Sequence, residues 1–109
     1  MAVELVLLSG TAPTWQDWEA AITAIIPGGE LHELVDGSCL LRDHNNDGIL
    51  TWWPPRALAV AREATGTFED VRAGQVWTDM ALPYADSRTG RVICAELARR
   101  LGGRVMERK

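Results

Sequence analysis

Apolar residues crowd the start of the chain. Val3-Glu4-Leu5-Val6-Leu7-Leu8 is apolar nearly throughout, the pattern of a strand covered on both faces or near it. Ser9-Gly10-Thr11-Ala12-Pro13 breaks the run. Thr14 then stands as a helix N-cap with Asp17 three residues on, close to a capping box. Trp15, Trp18, Ile22, Ile25 and Ile26 recur at three- and four-residue spacing, which predicts a helix with one broad apolar face ending at Pro27-Gly28-Gly29. Residues 30–36 fit neither period cleanly and read as a strand, because glycines bracket a run too short for a good helix.

Ser38-Cys39-Leu40-Leu41-Arg42 and Ile49-Leu50-Thr51-Trp52-Trp53 are β-prone segments joined by a polar, Gly-containing connection, which predicts a hairpin. Pro54-Pro55 ends the second strand and suits a helix start, so the Ala-rich run from Arg56 to Thr65 reads as a short helix. No period shows between Gly66 and Gly74. Gln75 to Leu82 alternates as a strand and stops at Pro83. Asp86 or Ser87 caps a last helix whose apolar face is Ile93, Cys94, Leu97, Ala98 and Leu101, with Arg91, Glu96, Arg99 and Arg100 toward water. Gly102-Gly103 stops it, and Arg104 to Glu107 closes as a strand.

This order implies one α+β domain over residues 1–109: a single-layer antiparallel or mixed β-sheet with helices packed on one face. The expected arrangement is a ferredoxin-like sandwich with the β-hairpin added to it. A 109-residue chain that is 47% hydrophobic and 24% charged has the composition of a globular domain able to bury a core without metal or disulfides. No apolar run approaches the roughly 18 residues of a membrane span. The N-terminus lacks a basic region and carries Glu4 early, so no signal peptide is expected. Cys39 and Cys94 then read as reduced, buried, small apolar residues, and the expected compartment is the cytoplasm.

Charge is distributed unevenly. Residues 1–87 hold four Arg against thirteen Asp or Glu and net −9, while residues 88–109 net +5, giving −4 for the whole chain. The acidic excess argues against a general nucleic-acid binder and toward a surface that steers a basic partner.

Asp43-His44-Asn45-Asn46-Asp47-Gly48 begins like a calcium loop, with oxygen donors at the first, third and fifth positions and glycine at the sixth. The twelfth position, which needs a bidentate Glu, is Pro54. Asn, Asp and Gly also satisfy a tight turn on backbone grounds alone, so a turn is preferred and no metal or other cofactor is assigned. His32 and His44 lack the paired spacing of zinc ligands, and Cys39 lies within an apolar strand away from any helix N-terminus. Hydrolase, metalloprotease and phosphate-cradling glycine motifs are absent, so no catalytic residue is assigned.

Tryptophan is the compositional outlier, with five against one Phe and one Tyr. Trp15, Trp18 and Trp77 read as core. Trp52 and Trp53 are adjacent on a strand and must point to opposite faces, so only one can face the helices. The leading expectation is a non-catalytic, inhibitor- or immunity-type module that meets a basic protein through Trp52 or Trp53, with Asp43, Asp47, Glu33 and Asp36 as surrounding charges. The alternative is a small-ligand domain or minor enzyme holding a phosphate or carboxylate at Ser87, Arg88, Thr89 and Arg91, where a helix N-terminus, hydroxyls and arginines coincide. A homodimer through the sheet face or edge is compatible with both.

Overall fold

The computed structural model describes residues 2–57, 75–83 and 87–108. Among these are two helices and seven strands in the order β1 (Ala2–Ser9), α1 (Trp15–Ile25), β2 (Glu30–Glu33), β3 (Cys39–Arg42), β4 (Gly48–Trp52), β5 (Arg56–Ala57), β6 (Val76–Pro83), α2 (Arg88–Leu101) and β7 (Arg104–Glu107). They make an α+β domain with one antiparallel sheet. Its strand order is β2-β3-β4-β6-β1-β7, and β5 pairs with β6 beyond the end of β4.

β1 and β6 form the spine, paired along eight positions from Ala2↔Pro83 to Ser9↔Val76. The near-continuous apolar run of β1 is explained by its position, because both of its faces are covered. Leu5 and Leu7 join the main core with Trp18, Ala21 and Ile22 of α1 and Ile93, Cys94, Leu97 and Ala98 of α2. Val6 and Leu8 form a second cluster with Trp77 on the other face, and Met106 packs against it. Both helices therefore lie on one side of the sheet. The other side carries no helix among the described residues.

The local signals in α1 and α2 act as their chemistry dictates. Thr14 Oγ1 accepts from the Asp17 N–H while the Asp17 carboxylate accepts from the Thr14 N–H, which completes the capping box. Gly102, at φ +65°, closes α2 with its N–H donated to the carbonyls of Ala98 and Arg99. Gly90 lets the first turn of α2 sit against β4 and β6, since a Cβ there would meet Leu82 and lie 2.9 Å from the Ile49 carbonyl oxygen.

Several expectations need correction. Trp15 is 48% exposed, not core, because the buried face of α1 is made by Trp18, Ala21 and Ile22; its indole donates to Glu19. The helix expected from Arg56 does not begin there. Arg56 and Ala57 continue the edge of β4 along β6, with Arg56↔Trp77 and Ala57↔Val76, after Pro54-Pro55 interrupts the ladder. The rest of that expected helix, residues 58–65, lies outside the described residues, as does Asp86. Ser87 stands at the N-cap of α2 without making a side-chain capping bond. Cys39 and Cys94 are buried free thiols.

No helix among the described residues is long and apolar enough to cross a membrane.

Candidate functional site

β-strand alternation decides which tryptophan is presented. Trp52 pairs with Cys39 and Met80 on the helix-bearing face, where it is 5% exposed and stacked on Trp18 with ring centroids 4.0 Å apart and planes 10° apart. Its ring is not available to a partner, which corrects its inclusion as an anchor. Trp53 lies on the opposite face, which carries no helix among the described residues, and is half-buried. Its backbone N–H donates to the Asp79 carbonyl, continuing the ladder one residue past β4.

The turn between β2 and β3 stands beside it. Leu34 N–H donates to the Ser38 carbonyl and Gly37 N–H to the Leu34 carbonyl, with Gly37 at φ +85°. Asp36 accepts from both the hydroxyl and the N–H of Ser38, at 2.5 and 3.0 Å. Those bonds, with a smaller one from the Trp53 side chain, hold the Asp36 carboxyl below its ordinary range. A Cβ on Gly37 would lie 3.4 Å from the Pro54 ring. Asp36, Trp53 and Pro54 are therefore neighbours, and Val35 at the tip of this turn is fully exposed with Leu34 half-exposed.

The structure does not gather all the residues expected to act together. Asp43 and Asp47 occupy the tip of the β3–β4 hairpin, separated from Trp53 by the length of β4, about 20 Å for the step from Asp47 to Trp53 at ~3.3 Å per residue. That tip repeats the bonding of the first turn: Asp43 N–H donates to the Asp47 carbonyl and Asn46 N–H to the Asp43 carbonyl. The positive φ, +66°, falls at Asn46 and not at Gly48. Asp43 Oδ1 accepts from the N–H groups of Asn45 and Asp47, so one of its oxygens is engaged in shaping the turn. Glu33 is exposed and pairs with Cys39, which puts it on the helix-bearing side, opposite Trp53. Of the proposed group, Trp53 and Asp36 are together.

The residues of the alternative site cluster only in part. Arg91 is already engaged: it pairs with Glu107 of β7 at 2.8 Å, and its Nε donates to the hydroxyl of the N-cap Ser87 at 3.3 Å. Thr89 lines a cavity of about 110 Å³ with Asp43 and His44, so a carboxylate already faces the end where an anion was expected. Arg88 is exposed.

A larger cavity of about 240 Å³ opens on the face away from α1 and α2, lined by Glu4, Leu5, Trp53, Asp79, Met80, Ala81 and Arg108. Strand register builds it. Thr51, Ala81, Glu4 and Arg108 form one cross-strand row, the last through the Arg108 N–H donated to the Glu4 carbonyl. Trp53, Asp79, Val6 and Met106 form the next. Ala81 is the small residue between larger ones, and its methyl leaves the depression. Asp79 Oδ1 accepts from the Trp77 indole at 2.9 Å and lies 3.5 Å from Arg108 Nη1. No family model matches this chain, and no curated protein or solved structure proves similar to it.

Glu4, Asp79, Ala81 and Arg108 were not singled out from the sequence. Each is ordinary in its own segment. A polar residue inside the apolar β1 run was the one visible signal for Glu4, and Asp79, Ala81 and Arg108 join it through pairing across 73 or more residues of chain.

Proposed function

We propose that this protein is a non-catalytic binding module that engages a basic protein partner through the sheet face around Trp53, on the side away from α1 and α2. The observation that carries the reading is Trp53 itself: a half-buried indole on the face away from α1 and α2, flanked by the Asp36 carboxylate and by the apolar turn Leu34-Val35. An aromatic ring held in place by a strand loses little entropy on binding, and acidic neighbours favour a cationic counterpart. Glu4 and Asp79 add two carboxylates to the same face.

The acidic hairpin tip at Asp43 and Asp47 is left out of this surface, because β4 separates it from Trp53. The ferredoxin-like reading of the fold belongs to the same proposal in a restricted form. The order β7-β1-β6-β4, with α1 following β1 and α2 joining β6 to β7, supports a split β-α-β core with the β2–β3 pair added at one edge.

Affinity capture on the immobilised protein, followed by calorimetry with the captured basic protein, tests the function. Trp53→Ala is expected to weaken binding by tenfold or more, about 1.4 kcal/mol. Asp47→Asn is expected to leave it unchanged. Equal affinities for wild type, Trp53→Ala and Asp36→Asn would remove this face from consideration.

A further inference from the structure

We propose that the cavity bounded by Trp53, Glu4, Asp79 and Ala81 is a receptor for a single arginine side chain of the partner. This deepens the binding-module reading and rests on it. The same sheet face already shows how it treats a guanidinium. Arg56 and Arg108 lie over the Trp77 ring at 5.6 and 6.0 Å, and Arg108 also approaches the Asp79 carboxylate at 3.5 Å. Indole and carboxylate together hold an internal arginine there.

One row away, the components recur, and no arginine among the described residues lies over the ring. Trp53 supplies the indole. Glu4 supplies a carboxylate that makes no ion pair or side-chain hydrogen bond among the described residues. The lining carries two carboxylates against one guanidinium, so a cation is the favoured occupant. A planar guanidinium can stack on the indole while forking onto a carboxylate, which an ammonium cannot do. Ala81 makes the room. It points away from the core, between Met80 and Leu82, which are buried on the other side, so filling its space does not disturb the helix-bearing layer.

The experiment titrates the ¹⁵N-labelled intact protein with N-acetyl-arginine methylamide and, in parallel, with the neutral isostere N-acetyl-citrulline methylamide. The readout is the Trp53 indole N–H resonance, assigned by its loss in Trp53→Phe. A saturable shift with the arginine compound, absent with citrulline and abolished in Ala81→Ile, is expected. Glu4→Gln should weaken binding by about threefold, the scale of an exposed charge pair. An equal response to citrulline, or unaltered arginine binding in both Ala81→Ile and Glu4→Gln, overturns the proposal. Partner capture that depends on Trp53 but is untouched by Ala81→Ile overturns the cavity while sparing the surface. Arginine binding that Ala81→Ile abolishes, with no Trp53-dependent protein partner, supports the cavity and removes the broader function.

Discussion

Trp52 and Trp53 differ in everything except identity. Trp52 is stacked on Trp18 inside the main core, whereas Trp53 stands half-buried on the other face. Trp52→Ala removes a large buried ring and its stacking on Trp18, so urea denaturation should show a loss of about 3–5 kcal/mol. Trp53→Ala should cost ~1 kcal/mol by the same measurement, because much of its ring is already in water. Cys94 offers a second test at this scale. Burial against Met80, whose sulfur is 3.5 Å away, pushes the thiol up to about 12 from 9.0, with Arg91 opposing weakly. Its folded pKa is raised, so its contribution is intact below pH 9 and is lost as pH climbs toward 12, where only the unfolded thiol ionises readily. The stability gap between wild type and Cys94→Ala should therefore narrow over that window, by up to about 1.4 kcal/mol per pH unit.

The two successive hairpins share one turn design, with a left-handed residue at the fourth position: Gly37 in the first and Asn46 in the second. Asn46→Ala should destabilise by about 1 kcal/mol in thermal or urea unfolding, while Asn46→Gly should be near neutral, since glycine adopts positive φ without a Cβ clash. Whole elements were legible where local chemistry acts alone. The capping box at Thr14 and Asp17, the glycine stop of α2 and the hairpin spanning Asp43 to Asp47 all follow from neighbours in sequence. Arg56 and Ala57 were not, because a proline pair suits a helix start as well as a strand interruption, and only β6 alongside decides for the strand.

Across the molecule, the arginines of the C-terminal segment are largely spent within the fold. Arg91 pairs with Glu107, Arg99 and Arg100 with Glu96, and Arg108 approaches Asp79. The bonds to Arg99 and Arg100 hold the Glu96 carboxyl below its ordinary range. Of these pairs Arg108–Asp79 alone joins the basic segment to an acid outside it, so they leave the charge asymmetry read along the chain largely in place. At this scale the sheet order makes a prediction: amides of Val6, Leu7 and Leu8 in β1 should be among the slowest to exchange with deuterium. β1 is paired on both sides and covered on both faces, whereas the β2 edge should exchange fastest among the strands.

By itself the sequence determined the periodicities, the caps and turns, and the rule that adjacent strand residues oppose one another, so that one of Trp52 and Trp53 had to leave the core. These depend on backbone geometry and on side chains a few residues apart. Only the tertiary structure decided which of the two it was, because that depends on the face chosen by α1 and α2. It likewise decided that Asp43 and Asp47 stand a strand's length from Trp53, and that Glu4, Asp79, Ala81 and Arg108 surround it. Strand pairing brings those residues together from distant parts of the chain, and no local pattern encodes the register that aligns them.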